Sequence, residues 1–464
     1  MLAAMKTLIT NGTIITSQET LAADLLLADG RVAAIGAGLD RDGADIVNAS
    51  GKYILPGGVD VHTHITLNID AVFNTDAFYT GTIPAITGGT TTVIDHMSFA
   101  PEGRSFHDHI ALYKKTSEKR PVVDYGFHGL IQHMDAQTLA ELVRLPEQEF
   151  TSVKAYMTYP DRLNDAELSD LLRLTKKLGL LLAVHCENHE EIIRLRAEFK
   201  AEGKGEPIWH ARSRPAECEA EAVSRLLRLA SEAGDAPVYV VHLSTAKGLN
   251  AIQKARAAGQ KNIFAETCTQ YLTLTEDKYL DPDTGLLYLM SPPLRTRKDT
   301  EALWEGVANG DIQTIATDHC SFTLADKAGG RGDFTLCPGG APGMEERMTV
   351  LFSEGVMQGR ISATRFVDLV STTPARLFGL FPQKGDILPG SDADVVILDP
   401  EARYILQNND LHGPSDYSLY EGMTLTGRID AVYLRGVLMA DQTGFLGKRG
   451  AGQLLRRGRC MYSD

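Results

Sequence analysis

Eight short apolar runs recur between residues 57 and 319, and helix-like stretches separate them. The runs are GGVDVH (57–62), TTVIDH (91–96), VVDYGFH (122–128), SVKAYM (152–157), LLLAVH (180–185), PVYVVH (237–242), NIFAET (262–267) and DIQTIATDH (311–319). Such alternation is typical of βα units in a parallel sheet. Eight units over roughly 260 residues predict an α/β fold with one closed (β/α)8 barrel. An open doubly wound sheet is the alternative, but no GxGxxG turn follows the first run.

Both ends of the chain have a different pattern, with short alternating strands and Gly, Pro or Asp turns. This pattern predicts a small β-sandwich domain composed of residues 1–55 and 381–444 beside a barrel domain of residues 56–380. The basic tail, 445–464, is interpreted as an arm that packs on a neighbouring subunit, with a frayed basic end as the alternative.

Composition and charge exclude several classes of protein. The net charge of −14 argues against binding to nucleic acid or to an anionic membrane, because both require a basic surface. Neither a signal peptide nor an apolar run of membrane-spanning length is recognisable. The six cysteines form no CxxC pair, which indicates reduced thiols and a cytoplasmic protein. A small neutral or cationic substrate is therefore expected.

The polar residues that end the runs predict a metal site. His62 and His64 are two residues apart on a predicted strand and project from one face. The other candidates lie at or near the ends of further runs, and the carboxyl ends of barrel strands surround one mouth; they are Lys154, His185, His242 and Asp318. Four imidazoles and one carboxylate favour zinc, with manganese, cobalt or iron as alternatives.

Lys154 is the unusual member of this set, because it stands in the middle of an apolar strand. A buried ammonium group without a partner is very unfavourable. If the amine reacts with carbon dioxide, the resulting carbamate is an anion with two oxygens, which can bridge two cations. An ordinary ion pair with Asp95, Asp124 or Asp318 is the alternative interpretation.

The motifs GGVDVHTH, SVKAYMTY, AVHCEN, VVHLS, ETCTQYL, SPPLR, ATDHC and PGGAPGMEERM occur in this order. Together they resemble the cyclic amidohydrolases of the dihydropyrimidinase and hydantoinase family, and most of all its bacterial D-hydantoinase branch. The resemblance implies that His62, His64, carboxylated Lys154 and Asp318 hold one divalent metal ion and that Lys154, His185 and His242 hold a second. It further implies a bridging hydroxide that attacks the ring carbonyl, with Asp318 transferring the proton and Tyr159 hydrogen-bonding the oxyanion.

The same resemblance implies the substrate contacts. Ser291 and the PGGAPG loop would contact the ring mainly through backbone groups, although Gly339 stands where relatives commonly have Asn. Ile69, Tyr156 and Leu163 would surround the substituent at ring carbon 5. The expected reaction converts 5-monosubstituted hydantoins, with a preference for the D enantiomer, or dihydropyrimidines into N-carbamoyl amino acids. A homotetramer is also implied.

Three alternatives remain. Dihydroorotases usually carry an arginine in an HxHxR motif, and Thr66 takes that place here. Allantoinases resemble the chain at the metal ligands but usually lack a tyrosine that matches Tyr159. Some relatives of dihydropyrimidinase have lost their ligands and act as scaffolds, whereas all six are present in this chain.

Overall fold

The structure is a computed structural model that describes residues 6–66, 77–148 and 150–460. It begins with seven short strands: β1 (Lys6–Thr10), β2 (Thr13–Ile15), β3 (Thr20–Ala22), β4 (Asp24–Ala28), β5 (Arg31–Gly36), β6 (Asp45–Asn48) and β7 (Tyr53–Pro56). Strands β5, β4, β1 and β6 form a four-stranded sheet in that order. Along β4, buried and half-buried side chains alternate, as expected for a strand with one face towards a core.

The next eight strands form one parallel sheet in sequence order: β8 (Gly58–Thr63), β9 (Thr90–His96), β10 (Asp124–Leu130), β11 (Ser152–Tyr156), β12 (Leu181–His185), β13 (Val238–Val240), β14 (Ile263–Cys268) and β15 (Thr314–Ala316). Each of the eight apolar runs overlaps one of them. The Asp318 amide donates to the His62 carbonyl (2.9 Å), and the His64 amide donates to the His319 carbonyl (2.7 Å). These bonds close the sheet, which confirms the predicted barrel.

Helices follow the barrel strands and pack around them. Those that precede the last barrel strand are α1 (Ala77–Thr80), α2 (Ile83–Thr87), α3 (Phe106–Ser117), α4 (Ala136–Leu142), α5 (Asp165–Leu178), α6 (His189–Ala201), α7 (Ile208–Arg212), α8 (Ala216–Glu232), α9 (Ala246–Ala257), α10 (Thr269–Thr273) and α11 (Arg297–Asn309). Helix α5 shows why they form: a capping box of Asn164 and Glu167 starts it, and Gly179 ends it at φ +69°. In the described ranges, no helix is both long and apolar enough to cross a bilayer.

After the last barrel strand come α12 (Leu324–Ala328), α13 (Arg347–Leu351), α14 (Ala363–Val367) and α15 (Thr373–Leu377), with π-helical turns at Phe352–Met357 and Asp368–Thr372. Arg347 is fully buried at the closure of the barrel. Its guanidinium donates to the carbonyls of Val59 (3.2 Å) and Ile315 (3.1 Å), which belong to the first and last barrel strands. One side chain thus connects the two strands at the seam.

The chain ends with β16 (Val395–Ile405), β17 (Thr424–Leu434), β18 (Val437–Asp441) and β19 (Gly444–Phe445). They join three early strands in a seven-stranded sheet of order β19-β18-β17-β16-β7-β2-β3. Ile9 and Leu25 of the first sheet share a buried cluster with Ile54 and Val395 of the second. The extra β structure built from both termini is therefore confirmed, whereas the exact boundaries 1–55, 56–380 and 381–444 stay predictions.

The described part of the tail lies against its own barrel. The Leu455 amide donates to the Tyr125 carbonyl (2.8 Å), and the Gly458 amide donates to the Gly379 carbonyl (2.8 Å). Arg457 is buried and donates to Ser152 Oγ (2.9 Å). The tail is therefore anchored within the chain, and its contact with a neighbouring subunit stays a prediction.

Candidate active site

The six predicted ligands meet at one end of the barrel because each lies at or near the carboxyl end of its strand. His62 is the penultimate residue of β8 and His64 follows that strand directly. Lys154 lies in β11 and His185 ends β12, while His242 and Asp318 follow β13 and β15 by two residues. Residues far apart in sequence thereby become neighbours, as expected for the carboxyl ends of barrel strands.

His62, His64 and Asp318 form the first ligand group. Asp318 Oδ1 lies 3.1 Å from His62 Nε2 and 3.3 Å from His64 Nε2. One ligand atom from each residue lies within 4.8 Å of the others, so the three can bind one metal ion. Burial by itself would raise the pKa of Asp318, but His62 and His64 lower it well below its ordinary value and keep the carboxylate charged.

His185 and His242 form a second group beside the first. The distance from His185 Nδ1 to His242 Nε2 is 2.8 Å. Lys154 is almost fully buried beside both groups: its Nζ lies 3.4 Å from His62 Nε2, and its charge lowers the pKa of His185 and of His242. This donor set fits two cations near the lysine terminus.

The ion pairs considered for Lys154 do not form among the described residues. Asp95 Oδ1 accepts from Thr63 Oγ1 (2.7 Å), and Asp124 Oδ2 accepts from Lys384 Nζ (2.5 Å). Asp318 instead faces the histidines. Burial lowers the pKa of Lys154 to about 8, so a substantial fraction of neutral amine is present near neutral pH. The neutral amine is the form that can react with carbon dioxide.

Two carboxylates that sequence reasoning did not assign determine the orientation of the histidines. Glu266 Oε1 lies 2.6 Å from His62 Nδ1, and Glu187 Oε2 lies 2.7 Å from His185 Nε2. A proton on the nitrogen that each carboxylate faces would leave His62 Nε2 and His185 Nδ1 as the metal-binding atoms. A signal was present in the sequence, because Glu187 follows His185 by two residues and Glu266 lies near the end of an apolar run.

Three site residues have left-handed backbone conformations, with φ values of +75° at Tyr159, +39° at His242 and +54° at Asp318. This region is strained for residues other than glycine, and such strain concentrates at functional sites. The period-two pattern of the strands does not predict this strain, because the three strained residues lie just beyond the strand ends.

A cavity of about 280 Å³ opens beside the histidines. Of the predicted substrate contacts, Tyr156, Tyr159, Ser291 and Gly339 line it. Tyr159 hydrogen-bonds Ser291, and burial raises the pKa of Tyr159, so its hydroxyl stays protonated and able to donate.

The other two predicted contacts differ. Leu163 is not among the described residues that line the cavity; its side chain is buried in the main core. Its amide donates to the Tyr156 carbonyl (3.0 Å), so Leu163 is bonded to the backbone of a residue that lines the cavity. Ile69 lies outside the described residues.

A buried lysine holds two segments that border the cavity. Lys327 Nζ donates to the carbonyls of Leu289 (2.8 Å), Pro338 (2.8 Å) and Gly340 (2.5 Å). These carbonyls lie two residues before Ser291 and on either side of Gly339. Lys327 lies in α12 and has no signature in the sequence, because a lone lysine forms no distinctive pattern.

Comparison with known proteins agrees with this geometry. The profile of the amidohydrolase family matches residues 53–439. D-phenylhydantoinase of Escherichia coli O127:H6 is 45% identical over 455 residues, which is 98% of both chains.

Two solved structures extend the comparison. The dihydropyrimidinase of Brevibacillus agri superposes with a TM-score of 0.95 at 40% identity, covering 98% of this chain and 100% of the other. The L-hydantoinase (dihydropyrimidinase) of Arthrobacter aurescens gives a TM-score of 0.88 at 31% identity, covering 97% and 99%. This chain therefore belongs to the amidohydrolase family, within its group of hydantoinases and dihydropyrimidinases.

Proposed function

We propose that this protein hydrolyses the ring of cyclic amides, converting 5-monosubstituted hydantoins, dihydropyrimidines or both into N-carbamoyl amino acids. One observation carries the proposal: Lys154, which has no carboxylate within ion-pair distance among the described residues, lines one cavity together with the four predicted histidine ligands and Asp318. The 45% identity to a D-phenylhydantoinase supports a preference for D enantiomers.

The residues fit two divalent metal ions, for which we propose zinc, with manganese or cobalt as alternatives. His62, His64 and Asp318 would hold one ion, His185 and His242 the other, and N6-carboxylated Lys154 would bind both. When bound, the ions supply an activated water and polarise the substrate carbonyl. The donor set supports this assignment because Glu266 and Glu187 contact the outer ring nitrogens of His62 and His185, so that the inner nitrogens would be the ones to bind metal.

The protein's own residues would orient the ring and move the proton. Asp318 is placed to accept a proton from the nucleophile and to deliver it to the leaving ring nitrogen. The protonated hydroxyl of Tyr159 would donate to the carbonyl oxygen as negative charge develops there. Ser291 and the backbone at Gly339 would hold the ring.

An apolar wall supports substituted hydantoins as substrates. Met97, Phe99, Leu130 and Tyr156 line the cavity together. Apolar area of this kind favours an aromatic or aliphatic group at ring carbon 5. We therefore expect faster turnover of 5-phenylhydantoin than of dihydrouracil in side-by-side kinetics, and the reverse order would reject this substrate preference.

The decisive experiment removes the lysine. Lys154→Ala should lose bound metal and hydantoin opening, and short carboxylic acids should restore part of the activity by replacing the carbamate. Metal analysis and a hydantoin assay provide the readouts, with Lys177→Ala, an exposed lysine on α5, as the control. Full activity of Lys154→Ala would refute the bridging role.

The alternatives make different predictions. An allantoinase or a dihydroorotase would open its own ring faster than any hydantoin, and a scaffold would bind no stoichiometric metal. Thr66 lines the cavity where a dihydroorotase usually has an arginine, and it carries no charge to pair with a substrate carboxylate. This argues against a dihydroorotase.

We also propose a cytoplasmic homotetramer. All six cysteines are free, which supports a reducing compartment. Light scattering would test the tetramer.

A further inference from the structure

The cavity has a basic wall in addition to its apolar one. Arg196, His210 and Arg214 line it together with the metal-site residues. The two walls are connected through Tyr159, whose ring centroid lies 5.6 Å from that of Tyr156 and 5.7 Å from the guanidinium carbon of Arg214. A substituent that extends from the substrate ring along the apolar wall can therefore have its far end near the basic wall.

Two of the three basic residues already have roles inside the protein. Arg214 is buried and forms an ion pair with Glu187, the carboxylate that orients His185. His210 Nε2 lies 2.7 Å from the Met290 carbonyl oxygen, and burial lowers its pKa to about 3, so its ring is neutral. Neither offers a free charge to a ligand.

Arg196 differs, because most of its hydrogen-bonding capacity is unused. Its guanidinium makes one hydrogen bond, from NH2 to the Thr335 carbonyl (3.3 Å). Across the described ranges no carboxylate lies within ion-pair distance of it; Asp333, which acts on it electrostatically, is bound to Lys200 at 3.0 Å. Burial and the neighbouring Arg214 lower the pKa of Arg196, and Tyr159 and Asp333 offset this only in part.

We propose that Arg196 is the anchor of an anion subsite and that it binds a carboxylate at the end of the substrate's 5-substituent. The inference rests on the proposed function and adds hydantoins of acidic amino acids to its expected substrates. A guanidinium presents paired donors that match a carboxylate, and partial desolvation strengthens the contact. The cavity of about 280 Å³ suits a ring with a short side chain better than a large anion.

The test compares two substrates of the same shape, the hydantoins of D-glutamate and D-glutamine. They differ in one terminal group, a carboxylate against a neutral amide. The wild-type holoenzyme should show a kcat/KM about tenfold higher for the glutamate hydantoin, the size expected for one charge-assisted contact. Arg196→Gln should abolish this preference by raising KM for the glutamate hydantoin alone.

Arg194→Gln is the matched control, because Arg194 lies on the same helix, α6, and is exposed in ion pairs with Glu191 and Glu198 (both 2.7 Å). It removes the same charge and should keep the preference. Equal kcat/KM for both hydantoins in the wild type, or an equal loss for both in Arg196→Gln, would overturn the subsite while leaving hydantoin opening established. A metal-loaded enzyme that opens neither these hydantoins nor 5-phenylhydantoin would overturn the proposed function itself.

Discussion

At the scale of single residues, two buried carboxylates contact ring nitrogens of His62 and His185 and would thereby set which nitrogen each offers to a metal ion. Glu266 contacts three groups at once: His62 Nδ1 (2.6 Å), the Tyr239 hydroxyl (2.9 Å) and the His242 amide (2.9 Å). It therefore couples one ligand of the first group to the backbone of a ligand in the second. We therefore expect the charge and position of Glu266 to matter more for metal binding than the volume of its side chain.

We expect Glu266→Gln to weaken metal binding about 10- to 100-fold, because an amide no longer fixes the protonated nitrogen of His62. Retention of metal against a chelator would measure this. Glu219→Gln is the control, since Glu219 is also buried but accepts hydrogen bonds from Ser244 and Thr245 instead of a ligand. Equal metal loss in both variants would mean that metal binding depends on buried carboxylates in general and not on the contact between Glu266 and His62.

Lys327 acts on the substrate loops and not on the metal. Lys327→Met keeps a similar length but removes the donors to three carbonyls, so the segments around Ser291 and Gly339 should loosen. We expect KM to rise about five- to tenfold with metal content unchanged, a loss of about 1 kcal/mol in substrate binding. A fall in metal content with no change in KM would show that Lys327 only supports the fold.

At the scale of elements, the loop that carries Gly339 tolerates substitution at one position but not at the next. A Cβ at Gly339 would have Ser291 Oγ as its nearest neighbour, at 3.6 Å, which is an ordinary contact. A Cβ at Gly340 would lie 2.6 Å from Cys320 Sγ and 2.8 Å from the Cys320 carbonyl oxygen, and Gly340 has φ +149°. Only Gly340 is constrained by close approach of the backbone.

We therefore expect Gly339→Asn to keep hydantoin opening within about threefold of wild type, whereas Gly340→Ala should lose most of it through displacement of the loop. Steady-state kinetics of both variants, with thermal unfolding to check folding, would test the pair. Comparable activity in the two variants would contradict the assignment.

The barrel strands could be predicted from the sequence because the pattern that indicates them is local. A short, mostly apolar run indicates a buried strand without reference to the rest of the chain. Leu163 shows the limit of this reasoning. Its hydrophobicity indicates burial, but only packing decides whether the buried side faces the cavity or the core.

At the scale of the whole molecule, a buried charge network connects the barrel to the β structure. Lys384 Nζ lies 2.5 Å from Asp124 in β10, 2.9 Å from Asp392 and 2.7 Å from Asp394, just before β16. Arg435 also pairs with Asp124 and donates to the Ala451 carbonyl in the tail. Segments from four parts of the chain thus meet around Asp124, which also accepts from the Gln453 amide of the tail (2.8 Å).

Lys384→Met should lower the free energy of unfolding by about 3–5 kcal/mol, because it leaves buried carboxylates without their cation. Urea unfolding would measure the change. Lys52→Met is the control: Lys52 also pairs with two aspartates, Asp399 and Asp430, but is about a quarter exposed, so a loss of about 1 kcal/mol or less is expected. Similar losses in the two variants would argue against a special role of the buried network.

The pH dependence of this loss has a defined sign. Burial raises the pKa of Asp394 even with the lysine present, and removal of Lys384 would raise it further. A carboxyl group whose folded pKa exceeds its unfolded pKa stabilises the fold in acid, and that stability is lost as the pH rises through the folded pKa. The deficit of Lys384→Met should therefore be larger at about pH 8 than at about pH 5, and the opposite trend would contradict this account.

The sequence by itself determined the eight strands and the position of the six predicted metal ligands near the strand ends. The strands follow from local periodicity, which also fixes the face on which a side chain lies. Tertiary structure decided which groups pair: Glu266 with His62, Glu187 with His185 and Arg214, and Lys327 with three carbonyls. Among the described residues, it also left Arg196 without a carboxylate partner. Such contacts join residues far apart in the chain, so they depend on the closure of the barrel and on loop packing, which no local pattern encodes.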